Sequence, residues 1–245
     1  MKKVIVSYLL LMLCATVSQT AAADDFGTWL GIGAEKTLGS RWSIGADAEW
    51  RIADRVSVGV SAAYKPVKWL KLQGGYELQD VRSEGGLSSS GKYYNDAQWH
   101  LRHRFYGDVT GTLKTGRWKL SLRERLTYTT APSYDRTRTV VNLERSDYGT
   151  VSVKTVDSKS STVLRTRLAA EYSIPHCALT PYASVEMYNN PSVQKMRYTA
   201  GAEYKINKRQ SLKMYYLFQD RKTQDDDDEP AIDQHVVGAS WNIKF

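Results

Sequence analysis

A chain of 245 residues, with 34 Lys and Arg against 26 Asp and Glu, is basic and long enough for one large domain. It is too polar through most of its length for helical membrane spans, and its two cysteines cannot build a multi-cysteine metal cluster. The basic residues alternate with apolar ones and are interleaved with acids instead of forming a patch, which argues against a nucleic-acid partner.

The mostly apolar run is Val4 to Val17, broken by Ser7 and Thr16. It follows Lys2 and Lys3 and precedes Ala21-Ala22-Ala23. A charged start, a short apolar core and an A-x-A cleavage pattern define a secretory signal peptide, residues 1–23. The mature domain is then 24–245, with 32 basic residues against 26 acidic ones. Cys14 leaves with the signal, and Leu13 before it is not the small residue a lipidation site needs. Cys177 is then the single mature cysteine, so no intrachain disulfide is possible; a free thiol in a turn or an intermolecular link remains.

From there the chain reads as alternating strands, whose side chains point to opposite faces with period two. Thr28–Lys36 puts Leu30, Ile32 and Ala34 on one face and Trp29, Gly31, Gly33 and Glu35 on the other. After Leu38-Gly39-Ser40, Trp42, Ile44, Ala46, Ala48 and Trp50 alternate with Asp47, Glu49 and Arg51. The third strand sets Val56, Val58, Val60, Ala62 and Tyr64 against Arg55, Ser57, Gly59 and Ser61. The fourth, Trp69 to Gln79, places Leu70, Leu72, Tyr76 and Leu78 with the apolar set and Glu77 near Arg55. Residues Arg82 to Asp96, rich in Gly and Ser, read as a flexible loop.

The longest hairpin follows, Gln98 to Thr130. Leu101, His103, Phe105 and Val109 share a face with Trp118, Leu120, Leu122, Leu126 and Tyr128, whereas Arg102, Arg104, Asp108, Arg123 and Arg125 share the other. If Lys114 and Arg117 flank a two-residue loop, Asp108 lies opposite Arg123 and Tyr106 opposite Arg125. Trp118 and Tyr128 stand roughly 33 Å apart along the strand, which is ~25 Å of height at a ~40° tilt. That is the height of a membrane barrel's apolar band between two aromatic girdles.

Ala131–Ser160 is polar, with two β patches around Val140 and Val151–Val153, and reads as an extracellular loop extending the hairpin. The next strand has Leu164, Leu168, Ala170 and Tyr172 opposed to Arg165, Arg167 and Glu171. After a turn at Pro175–Ala178, Leu179, Ala183, Val185 and Met187 oppose Tyr182, Ser184, Glu186 and Tyr188, with Arg167 opposite Glu186. The ninth strand faces Met196, Tyr198, Ala200, Ala202 and Tyr204 outward with Lys195, Arg197 and Glu203 inward. In the tenth, Leu212, Met214, Tyr216 and Phe218 face outward and Glu203 lies near Lys213. Asp225–Glu229 is an acidic loop. The last strand has His235, Val237, Ala239, Trp241, Ile243 and Phe245 outward.

These strands imply an all-β, transmembrane antiparallel up-and-down barrel of 10–12 strands. Its apolar face is outside and its lumen carries paired ions, because unpaired buried charges are costly. Eleven strands are counted where single-chain bacterial barrels have an even number, which favours twelve. Long loops outside and an inside C-terminus would also start the first strand outside, so either a strand is missed or Thr28–Lys36 is not an ordinary wall strand. Glu124 falls on the outward face, opposite Gly107, where a bend or a bulge could turn it inward.

Several runs carry a resemblance: Asp25-Phe26-Gly27-Thr28-Trp29, Arg102-His103-Arg104-Phe105, Ser121-Leu122-Arg123-Glu124-Arg125, Ile174-Pro175-His176-Cys177, Pro181 to Glu186 and Lys195 to Gly201. They resemble an uncharacterised family of Gram-negative outer-membrane barrels, a domain of unknown function. The resemblance implies a β-barrel in the outer membrane, in contact with lipid and lipopolysaccharide, and brings no catalytic residues. The terminus resembles the signal read by the barrel-assembly machinery, with Phe245 last and Ile243 two before it, although Ser240 stands where glycine is usual.

The candidate site is the lumen face of strands five to seven: Arg102, Arg104, Arg123, Arg125, Arg165 and Arg167. Such arginines could favour anions in a narrow channel, or could fill a structural barrel with ion pairs. No catalytic, metal or cofactor site is expected. A lipid-modifying enzyme would need a nucleophile, a His and a carboxylate together, whereas His103 and Glu124 are offset by about four residues, some ~13 Å. The acidic loop lacks the spacing and turn glycine of a defined Ca²⁺ site. An adhesion or assembly scaffold acting through the 131–160 loop and a soluble secreted barrel with its apolar face inside are the other readings.

Overall fold

The computed structural model describes residues 25–83, 86–87, 92–95, 98–142, 147–190, 192–221 and 233–245. The segment expected to be a signal peptide, residues 1–23, and the stretch 225–229 read as an acidic loop lie outside the described residues. Among the described residues fifteen strands run in chain order. They are β1 (Asp25–Leu38), β2 (Trp42–Arg51), β3 (Arg55–Val67), β4 (Leu70–Arg82), β5 (Gly86–Leu87), β6 (Lys92–Asn95), β7 (Trp99–Thr115) and β8 (Trp118–Ala131), followed by β9 (Tyr134–Asn142), β10 (Asp147–Val156), β11 (Lys159–Tyr172), β12 (Leu179–Asn190), β13 (Ser192–Lys205), β14 (Gln210–Arg221) and β15 (Gln234–Lys244).

Eleven of them close a barrel in the order β1-β15-β14-β13-β12-β11-β8-β7-β4-β3-β2. The even count expected from the sequence is therefore not met. Up-and-down connections with an odd number leave the first and last strands running the same way. β1 and β15 accordingly pair parallel, Asp25 beside Gln234 and Glu35 beside Lys244. The first strand is an ordinary wall strand, and it begins at the end of the barrel that carries the long excursions.

The other four strands form a second sheet, β10-β9-β6-β5. β9 and β10 extend the β8–β11 pairing as a hairpin beyond the barrel, as the two β patches predict. The Gly- and Ser-rich stretch read as a flexible loop instead contributes β5 and β6. Lys92–Asn95 pairs with Asn142–Thr139 of β9, whose free edge supplies the backbone partners that its own composition does not advertise.

The apolar set faces out all the way round. Trp42, Trp50, Trp118, Tyr128, Val58, Leu122 and Leu168 are each about half exposed. Aromatic residues gather at both rims: Trp42 against Tyr64 and Trp118 against Tyr172 at the turn end, and Phe26, Trp50, Trp99 and Tyr128 at the long-loop end. The charged set points inward. Most fully buried side chains lie in the long-loop half of the lumen, where Trp29, Leu217 and Val236 form an apolar cluster against Tyr215. Glycine makes two of these inward packings possible. A Cβ at Gly238 would fall on the Tyr215 ring, and one at Gly75 on the Tyr106 ring.

The β7–β8 register differs from the predicted one. Gly116, with φ of 57°, takes the first loop position, and Thr115 pairs with Trp118. A left-handed first position is what glycine supplies in two-residue hairpin loops. Moving the loop by one residue shifts every pairing by two and keeps each side chain on its face. Asp108 therefore lies opposite Arg125, not Arg123, and Tyr106 opposite Thr127.

Candidate functional site: an arginine-lined lumen

Two cavities adjoin along the lumen and share Asp47 and Lys213. The turn-end cavity, about 380 Å³, is lined by Lys71, Lys119, Glu171 and Glu203 among others. The central one, about 370 Å³, is lined by seven arginines and Lys213 against four carboxylates: Asp47, Glu49, Glu77 and Glu186. Above it the buried cluster of Trp29, Leu217 and Val236 narrows the lumen toward the long-loop end.

The acids are shared among the arginines. Glu49 accepts from Arg51 at 2.7 Å and Arg55 at 3.1 Å. Arg125 grips Asp108 through Nε and Nη2, one to each carboxylate oxygen at 2.6 Å, the bidentate geometry that makes arginine–carboxylate pairs strong. Glu186 is the busiest acceptor. It takes Arg123 at 2.6 Å, Arg165 at 3.0 Å on both oxygens, and the Tyr188 hydroxyl at 3.1 Å. Arg197 donates to Tyr188 and to Gln219, and its guanidinium also lies over the Trp29 ring, as does that of Arg51.

Four of the six predicted site residues, Arg104, Arg125, Arg165 and Arg167, line the central cavity. Arg123 joins them through Glu186. Arg102 does not: it stands near the long-loop rim and donates to His100, whose ring stacks on Tyr134 at 4.5 Å. Arg51, Arg55 and Arg197 complete the cluster. Alternation already points each of them inward, but only barrel closure brings β2 and β3 round to β13.

Other predicted pairings divide. Arg167 lies opposite Glu186 and Glu203 opposite Lys213, as expected. Arg55 is not beside Glu77, which pairs with Gly59 in register and with Arg104 by charge; Arg55 turns to Glu49 across the tight β2–β3 connection. Glu124 remains on the outward face and β8 carries no bulge to turn it. Its neighbours are Val109 and Thr166, not Gly107, and the Thr166 hydroxyl donates to it at 2.8 Å. His103, bonded to Tyr76 at 2.8 Å, pairs in register with Thr130, six residues from Glu124 and not four. That is about 20 Å along the strand.

These features define a closed β-barrel, apolar outside, with a cationic and ion-paired interior. The chain belongs to the family described as protein of unknown function DUF2490, whose model matches residues 26–229. No curated protein matches the sequence. Among solved structures, a KdgM porin aligns with a TM-score of 0.40 and 13% identity, covering 77% of this chain and 81% of that one.

Proposed function

We propose that the protein is an integral outer-membrane β-barrel of a Gram-negative cell, a non-enzymatic narrow channel whose basic, ion-paired lumen favours anions. The observation that carries this is the inversion of the usual burial pattern. Five of the seven tryptophans and most of the aliphatic strand residues are exposed on the outer wall, whereas Arg55, Asp108, Glu186 and Arg197 are buried inside it. Water would not tolerate so continuous an apolar surface, and lipid would.

In this setting the outer wall contacts lipid and lipopolysaccharide. The exposed terminal Phe245, its backbone held by Glu35 and Thr37 of β1, is available to the barrel-assembly machinery before closure. The four-stranded sheet beyond the barrel, with Val151 and Val153 exposed, favours a second role as a docking surface at the cell exterior.

Purified protein reconstituted in a planar bilayer tests the channel directly. Small unitary currents with a reversal potential displaced toward that of chloride in a KCl gradient are expected. Absence of current at any voltage would reduce the reading to a structural wall protein.

A further inference from the structure

A barrel lumen filled only for stability would place opposite charges across each strand pair. The β8–β11 seam does so near the turn end, where Lys119 meets Glu171, but does the reverse along its middle. Arg125 lies directly opposite Arg165, and in the next inward-facing row Arg123 lies directly opposite Arg167. Like charges facing each other across a strand pair are destabilising. Two carboxylates serve these four guanidiniums: Asp108 takes Arg125, and Glu186 takes Arg123 and Arg165.

Arg167 is left over. It faces Glu186 in register, yet that carboxylate is committed elsewhere, and among the described residues Arg167 has no ion pair. The buried Nε atoms of Arg123, Arg165 and Arg167 also lack a protein partner. Ser184 and Thr199, paired in register on β12 and β13, bring hydroxyl side chains to the same cavity.

We propose that the β8–β11 seam is a binding site for a small soluble oxyanion, a carboxylate- or phosphate-bearing solute, with Arg167 as its principal ligand. The proposal rests on the lumen being water-filled. The solute reaches Arg167 from the turn end, where the second cavity adjoins, because the cluster of Trp29, Leu217 and Val236 narrows the other approach. A guanidinium presents a planar fork of donors that matches either oxyanion, and an excess of positive charge in a narrow passage raises the local anion concentration.

The test is calorimetric titration of the detergent-folded barrel with inorganic phosphate and, separately, with acetate. Wild type is expected to bind at least one of them saturably at one site. Arg167→Gln should weaken that binding about tenfold or more, the effect of losing one charge-assisted contact. Arg167→Lys, which keeps the charge and loses the fork, should fall between. Heat-modifiable gel mobility verifies that each variant is folded. Because Arg167→Gln also relieves the repulsion from Arg123, its unfolding temperature should match or exceed that of wild type, whereas a purely structural arginine would lower it. No saturable binding by wild type, or unchanged affinity in Arg167→Gln, would overturn the proposal. Binding without bilayer current would contradict the channel and keep the site; current with neither phosphate nor acetate binding would keep the channel and remove the site.

Discussion

Replacing Glu186 by Gln should destabilise the folded barrel by about 3 kcal/mol, the low end for removing one partner of a buried ion pair, since lumen water softens the loss. The carboxylate, only 9% exposed, neutralises Arg123 and Arg165 together and also accepts from Tyr188. An amide in its place keeps one acceptor and turns two donors toward guanidiniums that can only donate. Glu171→Gln supplies the comparison. Its bond to Lys119 is of similar length, 3.0 Å, but the two side chains are 32% and 41% exposed, so the loss should stay under about 1 kcal/mol. Urea titration of both variants in micelles measures the pair. Equal losses would mean that burial inside the lumen does not set the strength of these contacts.

The second large effect is on the outer wall. Leu122 sits midway between the Trp118 and Tyr128 girdles on β8 and is 50% exposed. On a water-soluble protein, Leu122→Lys would be close to neutral. On a lipid-facing wall it should cost about 2–4 kcal/mol, as expected for a cation at the bilayer midplane. Ser184→Asp, which adds an anion to the cationic central cavity, should cost less than about 1 kcal/mol, because lumen positions tolerate polar change. Refolding into lipid vesicles followed by denaturant titration separates the two. A neutral Leu122→Lys would show that this face does not meet lipid.

Which face each strand residue occupies was legible in the sequence, because the period-two rule needs only local information. Trp42, Trp50, Trp118 and Tyr128 are outside, and Arg104, Arg123 and Arg165 inside, for that reason. Which residues stand beside one another was legible only across short turns of known length. Glu203 met Lys213, whereas Asp108 was assigned to Arg123 because Lys114-Thr115-Gly116-Arg117 offers two ways to place a two-residue loop. The Arg–Arg rows of the β8–β11 seam were hidden further. They form across the β9–β10 excursion, and no alternation pattern says that the strands on either side of it are neighbours in that register. The odd strand count is legible, but set against the even-number rule it favours a twelfth strand over a parallel closure, and the identity of the seam needs the whole circle. β5 and β6 were invisible because they are two and four residues long, and because β6 pairs with β9, distant in sequence, and β5 only with β6.

The orientation of the wall is most directly measured with bromine-labelled lipids and two single-tryptophan variants, one retaining Trp29 and the other Trp118. Trp118, half exposed at the turn-end rim, should be strongly quenched by bromine in the acyl chains, and Trp29, 5% exposed beneath the Arg51 guanidinium inside the lumen, should not. Quenching of Trp29 with Trp118 untouched would mean that the barrel is inside out with respect to lipid, and the channel, the ion-paired lumen and the oxyanion site would fall with it.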